Sequence, residues 1–80
     1  MTEHLKYLGR RQELELAKKK VIIRINGLIN NMRDALDPLT PVAELRTDAV
    51  AEWAIDLADA KDRYAEILNG LKQIEDILGK

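Results

Sequence analysis

Cysteine, serine and phenylalanine are all missing from this 80-residue chain. Without cysteine there is no disulfide and no thiolate metal site to hold a small domain together. Without serine or cysteine, the two commonest catalytic nucleophiles are gone. Proline occurs only in "DPLTPVAE", and glycine is scattered at Gly9, Gly27, Gly70 and Gly79, with no cluster that would cradle a phosphate. Aromatic residues make up 4% of the chain and charged residues 34%, a balance that suits long paired helices better than a sheet sandwich. No apolar run nears the roughly 20 residues that span a bilayer. The opening "MTEHLKYLGRR" has no apolar segment of the kind a secretory signal needs. A cytoplasmic protein with no membrane partner is expected.

At this length a single core is only marginally stabilising. The remaining stability is expected to come from long helices and from a second copy of the chain. The net charge of −1 conceals an asymmetry: residues 1–36 carry eight Lys/Arg against four Asp/Glu, and residues 37–80 carry five against ten. A basic half followed by an acidic half suits two segments that face each other, or face the opposite halves of a partner.

The prolines divide the chain. Pro38 stops a first helix, because the residue before proline is pushed out of the α region. Thr40-Pro41 is a start signal, a side-chain cap followed by proline at the first helical position. Glu44 then falls in the first turn, where the helix dipole favours negative charge. Thr47-Asp48 is a second start signal, which would leave a short helical turn over residues 41–46. The expectation is one domain, 1–80, with a first helix over about 3–36 and a hinge at 37–40 that extends to 47 if the second signal is used. The second helix then runs from 41 or 48 to 78, with Gly79 as its terminator.

Apolar periodicity supports this. Val50, Leu57, Tyr64, Leu71 and Leu78 recur every seven residues, and Trp53, Ala60, Ile67 and Ile74 fill the positions three further on, a coiled-coil-like seam. In the first half Tyr7, Leu14, Val21, Leu28 and Ala35 form one row. Leu8, Ile22, Ile29 and Leu36 form an adjacent row, and Ile25 and Met32 widen the stripe on its other side. The predicted fold is an all-α antiparallel two-helix hairpin. Folding back at Leu39 sets Leu28 against Val50, Val21 against Leu57, Leu14 against Tyr64 and Tyr7 against Leu71. It also sets Ile25 against Trp53, Lys18 against Ala60 and Arg11 against Ile67, so the seam is expected to be tight near the hinge and more polar at the open end. There the stems of Arg11 and Lys18 would cover apolar surface while their charges reach Asp59 or Glu66.

Seven apolar residues are surplus to such a seam: Ile22, Ile23, Ile29, Leu36, Ile55, Leu68 and Ile77. Exposed clusters of this kind mark contact surfaces. The expected use is self-association, most simply two hairpins forming a four-helix bundle, with a groove for another protein's helix as the alternative.

Little here supports catalysis. His4 is the only histidine and lies at the N-terminal end, where it is expected to be solvated. Asp56, Asp59, Asp62 and Glu66 recur along the second helix without a histidine or the spacing of a calcium loop, which reads as a solvated face or a partner for the basic helix. No enzyme activity, metal or cofactor is expected. Arg10, Arg11, Lys18, Lys19, Lys20 and Arg24 are the candidate nucleic-acid contacts, able to neutralise phosphates without reading bases. Against that, no aromatic interleaves with the lysines, and consecutive residues splay around a helix. Trp53 and Tyr64 read as seam residues. Asn26, Asn30 and Asn31 are poor helix-interior residues that either line the polar face or bond across an oligomer seam.

The spacing Pro38-Leu39-Thr40-Pro41 resembles the turn of type III secretion needle subunits, helical hairpins of similar length whose turn also separates two prolines by two residues. The resemblance covers that turn alone. The middle residues differ, and the early heptads lack the hydroxyl-rich character of those subunits, so no functional residue is carried across. Small hairpins also serve as phage or prophage accessory proteins and as secretion chaperones. The expected function is a non-enzymatic interaction or assembly module, an adaptor or small regulator, whose partner is a second copy of itself, with another helical protein as the alternative. An electrostatic nucleic-acid binder is the second reading, and a filament or secretion component the third.

Overall fold

The computed structural model describes residues 2–79, with side chains from Leu5 onward. Two long helices, α1 (Thr2–Ala35) and α2 (Thr47–Ile77), run antiparallel and pack along their length, joined by residues 36–46. The molecule measures 62 × 17 × 14 Å, and the described residues contain no strand. This is the all-α hairpin expected from the heptads.

The connection is built from backbone chemistry. The Leu36 amide is shared between the carbonyls of Met32 (3.0 Å) and Arg33 (3.3 Å), and Pro38 cannot continue the helix. The Asp37 carboxylate accepts the Leu39 amide at 2.9 Å, a side-chain turn that redirects the chain, while the Thr40 amide donates to the Asp37 carbonyl at 3.0 Å. A single 3₁₀ turn follows at Val42–Glu44. A short helical turn thus precedes the main helix, and α2 begins at Thr47, which is its first helical residue and not its cap. The expected Thr40 cap is not made, since neither short turn nor long helix receives a side-chain cap hydrogen bond; Pro41 and Arg46 occupy the flanking positions. At the other end Gly79 adopts φ 83, the left-handed conformation that favours glycine after a helix, and its amide reaches the Asp76 carbonyl at 3.3 Å.

The buried seam follows the heptads. On α1 it is Leu14, Val21, Leu28 and Ala35, each seven residues from the next. On α2 it is Ala60, Ile67 and Ile74 with Leu71 from the neighbouring row. Ile25 and Met32 lie half-buried between the Leu28 row and the Ile22 row, on the same side as Ile22 and not across from it.

The register differs from the expected one. A fold centred on Leu39 would set Arg24 level with Ala54 and Arg11 level with Ile67; instead Arg24 reaches Asp56 and Arg11 reaches Glu75, both at 3.9 Å. Leu14, expected against Tyr64, packs beside Gly70. The cause is the connection, which extends to Arg46 and so displaces α2 along α1. The seam does not become polar toward the open end as expected. The buried cluster Leu14, Val21, Ala60, Ile67, Leu71 and Ile74 lies toward the open end, with Tyr7, Ala17, Ile25, Tyr64 and Leu78 packed against it. Near the hinge, Val50, Trp53 and Leu57 are only half-buried. Arg11 and Lys18 sit half-buried on the seam, but the acid that meets Arg11 is Glu75, not Asp59 or Glu66.

Candidate interaction surface

A pair of helices has two flanks, one on each side of the seam, and here they differ in chemistry. One flank is charged: Arg24 and Asp56 meet across it at 3.9 Å, and Val21, Arg24, Asp56, Asp59, Ala60 and Arg63 line a small cleft there. Farther toward the hinge the same side holds a mixed cavity between Asn31, Asp34, Ala35, Thr40, Glu44, Arg46 and Trp53. The Arg46 guanidinium stands 5.3 Å over the Trp53 ring at that point. Trp53 is therefore a half-buried seam residue covered by a cation, not a fully enclosed core residue.

The other flank is largely apolar toward the hinge and carries the Arg11–Glu75 pair toward the open end. Ile29, Met32, Arg33 and Leu36 of α1 and Leu57 of α2 line an open groove of about 440 Å³. Ile22, Ile29 and Leu36 are spaced by seven, so they form one row along α1. Ile22 and Ile29 are each 38% exposed, with Ile25 and Met32 half-buried behind them. On α2 exposed Ala54 lies three residues before Leu57, and exposed Ala51 and Ala58 fall on the back of the helix.

All seven surplus residues are exposed, but the structure does not gather them into one surface. Ile29 and Leu36 line the groove, Ile22 continues their row, and Leu68 lies on the same flank farther from the hinge. Ile23 is one residue and about 100° away from Ile22, on the outer face of α1. Ile55 is on the outer face of α2, and Ile77 is on the charged flank near the open end. Four exposed apolar residues escaped the sequence reading: Leu5, Leu16, Leu39 and Val42. Leu16 lies seven residues before Ile23 and was legible from that spacing. Leu39 and Val42, 89% and 84% exposed, stand at the tip of the connection.

The six basic candidates also divide. Arg10 pairs with Glu13 at 3.5 Å along α1, Arg11 with Glu75 and Arg24 with Asp56. Arg11 and Arg24 thereby belong to opposite flanks. Lys18 lies on the seam, while Lys19 and Lys20 are exposed and splay outward. The acidic row divides as well, Asp56 to Arg24 and the rest to solvent. Among the described residues no three His, Cys, Asp or Glu side chains converge as a metal-binding group. Asn26, Asn30 and Asn31 are exposed. The His4 side chain lies outside the described residues. No described helix is long and apolar enough to cross a membrane. Comparison of the chain with protein-family models, curated proteins and solved structures finds no match.

Proposed function

We propose that this hairpin is a non-enzymatic protein-interaction or assembly module that acts as a homo-oligomer through its apolar flank. The observation that carries this reading is the open groove lined by Ile29, Met32, Arg33, Leu36 and Leu57, with exposed Ile22 one heptad before Ile29. Apolar side chains left in water along a helix pair are stabilised when another apolar face covers them. The basic residues support a nucleic-acid reading less, because half of them stand against carboxylates and the set is split between flanks.

Sedimentation equilibrium over 1–200 µM tests the proposal. The wild-type chain is expected to associate with concentration, and Ile29→Glu is expected to be monomeric while keeping its helical circular dichroism. A wild-type chain that stays monomeric throughout that range overturns the self-association.

A further inference from the structure

We propose that, independently of the apolar flank, the outer face of α1 in one copy docks on the outer face of α2 in the next.

The sequence segregates its charges, and the hairpin uses that segregation only in part. From Leu16 to Arg33 there is no acidic residue, and from Thr47 to Ala60 no basic one. Among the described residues, the one ion pair joining these stretches is Arg24–Asp56. Other charges of both helices point away from the seam. On α1, Leu16, Lys19, Lys20 and Ile23 follow the i, i+3, i+4, i+7 spacing of a single helix face, and all four are exposed. Leu16 and Ile23 stand two residues, about 200°, after buried Leu14 and Val21, so that face lies opposite the seam.

On α2, Glu52, Ile55, Asp59, Asp62 and Glu66 recur by three and four, and all are exposed. Asp62 stands two residues after buried Ala60, so this face also looks outward. Among the described residues, neither these two lysines nor these four carboxylates enter an ion pair. The hairpin is thus a bar with one basic and one acidic long edge, each carrying exposed apolar side chains.

These edges match each other and fit a second copy. In the hairpin, residue numbers that stand abreast add to 80 at Arg24–Asp56 and to 86 at Arg11–Glu75. A neighbour set alongside in the same orientation, without axial shift, keeps those levels. Lys20 of one copy then stands abreast of Asp62 of the other, and Lys19 abreast of Glu66. A two-fold pairing of edges would instead set lysine on lysine or carboxylate on carboxylate, which like-charge repulsion opposes. The contact is therefore heterologous, and each chain keeps a free edge that extends the array. Exposed ion pairs each contribute little, so the array is weak and confined to low salt.

Charge exchange tests this in the Ile29→Glu background, where the flank contact is removed. The chain is expected to gain mass with concentration in about 20 mM sodium chloride and to lose that gain at 1 M, where the Debye length is about 3 Å. Lys19→Glu with Lys20→Glu makes both edges acidic, and Asp59→Lys with Asp62→Lys makes both basic. Each variant alone is expected to associate at least about tenfold more weakly, and their equimolar mixture to recover, because the exchanged edges match. Circular dichroism checks that both remain helical. The flank is read at 1 M salt on the wild-type chain, so either contact can fail without the other. A chain that stays monomeric at low salt, whether or not its lysine edge retains a DNA duplex, overturns the proposal. So does a mixture that associates no better than its components.

Discussion

Leu14 Cδ1 lies 3.2 Å from the point where a Cβ on Gly70 would stand, so α2 presents a gap that an α1 side chain fills. Gly27, in the middle of α1, has nothing within 4 Å of its would-be Cβ. The two glycines thus carry the same conformational cost in a helix but differ in what replacement meets. Gly27→Ala is expected to stabilise by about 1 kcal/mol, a rise in Tm of roughly 4–8 °C for a domain of this size. Gly70→Ala gains the same propensity, but the flexible end of Leu14 must move by a few tenths of an ångström, and overpacking offsets the gain. Its stability is expected within about 0.5 kcal/mol of wild type. Thermal melts at one fixed protein concentration, needed because association shifts the midpoint, compare them. Equal stabilisation by both substitutions would show that the Leu14–Gly70 approach is not close.

Burial along α2 implies a sharp contrast between two isoleucines of the same helix. Ile67 is 4% exposed within the core cluster, and Ile55 is 64% exposed on the outer face. Truncating a buried isoleucine to alanine costs about 2–5 kcal/mol, comparable to the whole stability expected of so small a domain. Ile67→Ala is therefore expected to lose most of its helical circular dichroism at 25 °C. Ile55→Ala should melt within about 0.5 kcal/mol of wild type. A well-folded Ile67→Ala would place the core elsewhere.

The rows of the seam were legible because a helix repeats every 3.6 residues and the apolar letters recur every seven. Ala60, Ile67 and Ile74 could be assigned to the interface with no knowledge of their partner. The register was not legible, because it depends on how much chain the connection consumes. The 3₁₀ turn at Val42–Glu44 decides that through backbone bonds between neighbours in sequence. The flanks were hidden for a related reason. Ile29, Met32, Arg33 and Leu36 are near neighbours in sequence, but that Leu57 closes a groove with them shows only once α2 is placed beside α1. The basic run "KKK" suggested a stripe by adjacency in sequence, whereas a 100° step per residue disperses it in space.

Arg46 precedes α2 and covers the single tryptophan at 5.3 Å. A guanidinium over an indole contributes about 0.5–1 kcal/mol at a partly exposed site. Arg46→Gln is expected to lose that amount in urea titration and to move the Trp53 emission to longer wavelength as water reaches the ring face. Because Trp53 is the only tryptophan, the emission reports this contact without interference. An unchanged spectrum would show that the arginine does not shield the ring.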